Sequence, residues 1–120
     1  MEKTKKFEDL LVWKKGHVFV LMVYKLTKQF PKEEVYGLTS QFRRAAVSIT
    51  ANIAEGYKRL SNKEKLRFYN IAQASLEECR YFIILAKDLK YAKNVDKERE
   101  LIQEVSKMLN AYCRSIVSKS

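Results

Sequence analysis

Residues 37–57 read GLTSQFRRAAVSITANIAEGY, and this stretch decides the fold. Projected at about 100° per residue, Leu38, Phe42, Ala45, Ala46, Ile49, Ile53, Gly56 and Tyr57 gather on one side of a helix, with Arg44, Ser48, Ala51 and Glu55 roughly opposite. The apolar side is thin, because alanine and glycine let a neighbouring backbone come close. The other side carries a cation, a hydroxyl and a carboxylate at spacings where helical side chains meet. It reads either as a solvated, ion-paired surface or as a face used for assembly or ligand contact.

Working outward, one periodic segment precedes this helix and two follow it, with no strand signal. The first runs over about 7–30 and spreads its apolar residues over two stripes. One holds Leu11, Val18 and Met22 with Leu10 and Leu21 alongside, the other Trp13, His17, Val20 and Tyr24. A helix apolar on more than one side is either central or shared with another subunit. Pro31 stops it, and Gly37 leads to an N-cap at Thr39 or Ser40, giving a second helix over about 39–57. Gly56 suits a left-handed position at that helix's end. The third helix, about 62–90, opens on the capping box Ser61-Asn62-Lys63-Glu64. Its predicted buried stripe is Phe68, Ile71, Ser75, Cys79, Phe82, Ala86 and Leu89, in which Ser75 and the flanking Glu78 are polar misfits that need partners. The fourth, about 96–117 with Asp96 as cap, has the cleanest stripe: Leu101, Ile102, Val105, Met108, Leu109, Tyr112, Cys113 and Ile116 within an arc of about 120°. Short polar links make a single all-α domain, an antiparallel up-down four-helix bundle, the expected architecture.

With 120 residues the chain has the length of one domain. One proline and three glycines favour long helices. No apolar run approaches the roughly 18 to 20 residues that cross a bilayer, and the start MEKTKKFEDL lacks the apolar middle of a signal peptide. A cytoplasmic protein without membrane contact is expected. Cys79 and Cys113 lack metal-ligand or disulfide-framework spacing and read as reduced core thiols.

Lysine and arginine total 24 against 14 acids, a net charge of +10 that no single tail holds. The densest group is Lys58 and Arg59 with Lys63, Lys65 and Arg67, offset only by Glu64. Flanked by Tyr57 and Tyr69, it is the candidate nucleic-acid surface, since clustered cations attract phosphate and tyrosines can stack on bases. A solubilising loop is the bland alternative. Arg43 and Arg44 read instead as structural, their planar forks of donors suited to neutralising Glu78 or Glu55 inside the bundle or an interface. With Ser48, Asn52 and Ser75, and with Trp13, His17 and Tyr24, they form the set expected to hold the bundle or its assembly together.

Little suggests an enzyme. His17 is the only histidine and shares its stripe with Trp13 and Tyr24. There is no Glu-x-x-His for a di-iron bundle, no arginine placed a few residues before His17, no phosphate loop and no nucleophile elbow. Glu77, Glu78, Glu100 and Glu104 could hold Mg²⁺ only if two helices aligned them. No cofactor or metal is expected.

The order FEDLLVWKKG, YKLTKQFPKEEVYGLTSQFRRAAVSITANIAEGYKR and FYNIAQASLEECRYFIILAKDLKY resembles the 23S ribosomal RNA intervening-sequence proteins over Phe7 to about Tyr112. Its centre, Gln41-Phe42-Arg43-Arg44-Ala45-Ala46 through Asn52-Ile53-Ala54-Glu55-Gly56, is specific. The resemblance implies a four-helix bundle that assembles into a ring-like homopentamer, encoded in some bacteria within segments inserted into ribosomal RNA genes. A similar branch is the accessory protein of diversity-generating retroelements, which implies RNA, a reverse transcriptase or another ribonucleoprotein as partner. One departure is Ala74, where relatives often carry glycine; its methyl group is expected to widen a helix contact. Two readings stay open: a basic oligomer that binds RNA or ribonucleoprotein, and a structural or adaptor oligomer that recognises another protein.

Overall fold

In the computed structural model, which describes residues 4–118, four helices surround one apolar core: α1 (Leu11–Thr27), α2 (Leu38–Lys58), α3 (Asn62–Asp88) and α4 (Asp96–Ser118). Short 3-10 turns at Phe7–Asp9 and Lys32–Glu34 precede α1 and α2, and no strand occurs among the described residues. The amino-terminal MEK, part of the segment read above for a signal peptide, lies outside them. The long axis of 46 Å suits a 27-residue α3, since each helical residue rises about 1.5 Å. α2 packs against α1 and α3, and α4 packs against the same two helices. No helix among the described residues is long and apolar enough to cross a membrane.

The predicted face of α2 is buried as read: Leu38, Phe42, Ala45, Ala46, Ile49, Ile53 and Gly56, with Tyr57 half-buried. Phe42 meets Phe82 of α3 at 5.7 Å between ring centroids. The α4 stripe also holds, with Ile102, Val105, Leu109 and Ile116 buried and Leu101, Met108, Tyr112 and Cys113 half-buried. Two other stripes differ. α1 buries Val12, Gly16, Phe19, Val20, Val23, Leu26 and Thr27, so of the two stripes expected along this helix only Val20, with Leu10 just before the helix, is in the core. Leu11, Val18 and Leu21 remain exposed. In α3, Ile71 and Leu89 are exposed, whereas Tyr69, Ala72, Leu76 and Ile83 are buried. That helix touches α2 on one side and α4 on the other, so it needs two apolar edges.

The helix ends differ in part from the expected ones. Leu10 is extended (φ −73°, ψ 125°), separating the turn at Phe7–Asp9 from α1. α1 stops at Thr27, where Gln29 and Phe30 tighten onto the Leu26 and Thr27 carbonyls. The residue before a proline avoids helical geometry. α2 begins at Leu38, so Thr39 lies inside it and buried rather than at the cap. Glu34 does the capping: Leu38 N–H donates to its Oε1 at 3.0 Å, and Tyr91 O–H donates to Oε2 at 2.8 Å. Both bonds favour the carboxylate and hold the Glu34 pKa below its ordinary value. At α3 the serine half of the expected capping box is present, with Glu64 N–H donating to Ser61 Oγ at 3.1 Å, while the Glu64 carboxylate lies 3.7 Å from Arg67. At α4, Asp96 is inside the helix and donates its N–H to Asn94 Oδ1 at 2.9 Å.

Gly56 is not left-handed; no glycine among the described residues has a positive φ. Its role is close approach. A Cβ there would come within 2.6 Å and 2.9 Å of two Tyr69 ring carbons and 3.1 Å of Phe68 Cβ. The left-handed residue is Lys90 (φ 64°), which ends α3 with Tyr91 N–H donating back to Ala86 O at 2.9 Å.

Candidate nucleic-acid interface

The basic group lies where α2 gives way to α3 across Arg59, Leu60 and Ser61. Its members do two different things. Lys65, one turn into α3, turns back and donates to Tyr57 O at 2.6 Å and Gly56 O at 3.3 Å. The ammonium thus bonds the Tyr57 carbonyl and shares that of Gly56 with Arg59 N–H, at the negative end of that helix. Burial pushes its pKa down. Lys65 is therefore half-withdrawn from any ligand.

The others face outward. Arg59 and Arg67 both lie over the Phe68 ring, at 4.4 Å and 5.2 Å from its centroid. An aromatic face attracts a guanidinium without occupying its donors, so these two cations are oriented and still able to bond. Glu64 tempers Arg67 from 3.7 Å, a loose surface pair of little energetic weight. Lys58 and Lys63 are exposed beside them, and Leu60 is fully exposed between. Tyr57 is half-buried and its hydroxyl bonds Thr4 at 3.1 Å. Tyr69 is not available to a base: it is 0 % exposed, packed against Gly56 and, at 5.3 Å, against the Tyr112 ring. Its hydroxyl makes no hydrogen bond of good geometry among the described residues. Burial first, and the neighbouring Tyr112 phenol second, push its pKa up.

The residues read as an interface set separate into three places. Ser75, the misfit of α3, donates to Ser48 Oγ at 2.8 Å, and Asn52 Nδ2 donates to Ser48 Oγ at 3.0 Å and Ser48 O at 2.8 Å. This seam joins α2 to α3 and answers the cost of a hydroxyl on an apolar face. Arg44 and Glu78 line the groove above it without bonding each other, and Glu78 and Glu55 are exposed with no ion pair among the described residues. Arg43 turns the other way, toward α1. Its Nε donates to Thr27 Oγ1 at 2.7 Å, Nη2 to Tyr24 O at 3.3 Å, and its guanidinium lies 4.6 Å from the Tyr24 ring centroid. Within the subunit, the expected pairing of Arg43 or Arg44 with Glu78 or Glu55 is replaced by an Arg43 tied to hydroxyl, carbonyl and ring. Nothing in the sequence marked Thr27 as its partner.

The third place is the outer side of α1. Trp13 is half-buried, edge-on to Phe7 at 5.1 Å and stacked on His17 at 5.1 Å, while His17 and Tyr24 are exposed. Ala74 is exposed too, so its methyl group widens no contact within the subunit. Of the four glutamates considered for Mg²⁺, Glu77 bonds Arg80 at 2.9 Å and Glu104 bonds Lys15 at 2.6 Å. Both cysteines are free, with Cys79 buried and Cys113 half-buried; burial raises both thiol pKa values, helped at Cys79 by the charge of Glu78.

Residues 8–111 match the family model described as "23S rRNA-intervening sequence protein". A crystal structure from Bacteroides thetaiotaomicron VPI-5482, described as a protein with unknown function from the S23 ribosomal protein family, superposes with a TM-score of 0.76 at 22% identity, covering 86% of this chain and 98% of that one. At that identity the likeness concerns the fold. No curated protein matches.

Proposed function

The chain belongs to the 23S rRNA-intervening sequence protein family, and from that premise we propose that it is a non-catalytic, basic assembly of up-down four-helix bundles that holds RNA or a ribonucleoprotein by its phosphates. The observation that carries this reading is the pair of guanidiniums over Phe68, Arg59 at 4.4 Å and Arg67 at 5.2 Å. They are fixed in place yet keep their donors free, with Lys58 and Lys63 exposed alongside. Fixed cations lose less freedom when a phosphate arrives than floppy ones. The family name, which mentions ribosomal RNA, and the net charge of +10 support the same partner class.

Assembly follows from α1. Leu11 (57 % exposed), Val18 and Leu21 (56 %) lie at i, i+7 and i+10 on one side of the helix, an apolar stripe that a second copy of this chain would cover. Self-association, as a ring of five by family resemblance, would place several basic turns on one particle and strengthen its field. The same stripe is what favours the second reading, an adaptor that assembles and recognises protein without nucleic acid.

Fluorescence anisotropy of a structured RNA at low salt separates the two. The first reading predicts binding that a Lys58→Gln, Lys63→Gln, Arg67→Gln variant loses while its helix content stays intact. No affinity of the wild-type protein for RNA removes that reading and leaves the adaptor. Light scattering tests assembly: a complex of several chains is expected, reduced to single chains by Val18→Glu with Leu21→Glu. A wild-type protein that is monomeric at all concentrations overturns the assembly.

A further inference from the structure

At the other end of α2 from the basic turn lies a cleft of ≈ 420 Å³ between the last turn of α1, the link through Pro31 and the first turns of α2. Among the described residues four cations line it, Lys28, Lys32, Arg43 and Arg44, and no carboxylate does. None of the four is in an ion pair among the described residues. Of the two acids in the link, Glu34 spends both carboxylate oxygens on Leu38 N–H and Tyr91 O–H, and Glu33 is exposed and does not line the cleft.

Arg43 is the decisive member. It is half-buried, and three neighbours lock its orientation: Thr27 Oγ1 and Tyr24 O, which accept its hydrogen bonds, and the Tyr24 ring beneath it. Every one of those partners is neutral. A guanidinium that gives up part of its water and gains no counter-ion remains electrostatically unbalanced, and its remaining donors face a cleft holding three more cations. The cleft also borders the start of α2, where Leu38 N–H is taken by Glu34 but those of Thr39 and Ser40 have no partner among the described residues. Fixed cation, free amides and hydroxyls of Thr39 and Ser40 are the groups that bind linked phosphates. Because the four cations gather around one open cleft rather than along a track, they match a compact oligophosphate better than phosphates spaced along a strand.

We propose that this cleft is a phosphate site separate from the α2–α3 turn, taking a run of linked phosphates, either as free polyphosphate or as the 5′-triphosphate of an RNA end. The site stands whether or not the α2–α3 turn binds RNA, because Lys58 lies 14 residues, about 21 Å, along α2 from Arg44.

The test uses the full chain and sodium tripolyphosphate. Calorimetry should show saturable binding, and amide NMR should show the largest shifts at Thr39 and Ser40. Lys28→Gln with Lys32→Gln, at two side chains without ion-pair partners among the described residues, should weaken binding by about tenfold or more. Lys87→Gln with Lys107→Gln, an equal change in net charge elsewhere, should leave it unchanged. Absence of binding, equal loss in both double variants, or shifts that bypass Thr39 and Ser40 would overturn the site. A 5′-triphosphate RNA compared with its 5′-hydroxyl form then identifies the source. Preference for the triphosphate that vanishes in the Lys28, Lys32 variant assigns the cleft to RNA ends; no preference, with tripolyphosphate still bound, assigns it to free polyphosphate.

Discussion

Replacing Gly56 by alanine should destabilise this protein, although the same change in an exposed helix stabilises by about 1 kcal/mol. The new Cβ would sit 2.6 Å and 2.9 Å from two carbons of the Tyr69 ring and 3.1 Å from Phe68 Cβ. Tyr69 is fully buried against Tyr112 and has nowhere to swing, so α2 and α3 must part. Overpacking of that kind costs about 2–3 kcal/mol toward the upper end of its range, and the net loss is then about 1–2 kcal/mol. For 120 residues the unfolding entropy is about 0.25 kcal/mol/K, so the midpoint should fall by about 4–8 °C. The consequence extends to the basic turn, because Gly56 O accepts from Arg59 N–H and Lys65 Nζ and Phe68 carries both arginines. Differential scanning calorimetry reads the stability and RNA anisotropy the turn. A variant that melts higher than wild type would show that Tyr69 yields freely and would refute the close-approach argument.

Other perturbations have definite signs. Tyr69→Phe removes a buried hydroxyl without a well-placed partner among the described residues and should raise stability by about 1 kcal/mol; a fall in chemical denaturation midpoint would mean that the hydroxyl is satisfied. Lys90→Gly relieves a left-handed lysine (φ 64°) and should also stabilise by about 1 kcal/mol; an unchanged midpoint would show that the lysine carries no strain there. Ser48→Ala strands Ser75 Oγ and one bond of Asn52 and should cost about 1–2 kcal/mol; a neutral result would dismiss the polar seam as a stabilising feature. Glu34 has a folded pKa below its ordinary value of 4.5. Its contribution is therefore complete above pH 4.5 and is falling away as the pH drops through the lower folded value. Glu34→Gln should flatten that acid limb of the stability profile, and an unchanged limb between wild type and variant would contradict the capping role.

What could be read from the sequence depended on how the apolar residues of each helix are spread around its axis, since every helix packs against two others. α2 and α4 carry one dominant apolar arc, and the residues on it are buried or half-buried. α1 carries apolar residues nearly all round, so periodicity alone could not choose between Leu11, Val18 and Leu21, which are exposed, and Val12, Phe19 and Val23, which are buried. α3 needs two edges, and a single stripe missed Tyr69 and Leu76 for that reason. Ser75 was recognisable as a misfit, but its partner Ser48 lies 27 residues away. Arg43 shows the same limit: its donors reach Thr27 and Tyr24 only because the link through Pro31 folds α1 back beside α2. The phosphate cleft is assembled by that same link, which brings Lys28 and Lys32 against Arg43 and Arg44. The α2–α3 cluster, contiguous in the chain, was visible from charge alone, whereas the withdrawal of Lys65 and the burial of Tyr69 required the packing.

The salt dependence of RNA binding addresses the central claim most directly. For wild-type protein the logarithm of affinity should fall steeply with the logarithm of salt, and replacing Lys58, Lys63 and Arg67 together by glutamine should shallow that slope by about 0.7–0.9 for each phosphate no longer neutralised. Identical slopes for the two proteins would mean that the α2–α3 turn does not touch the RNA backbone.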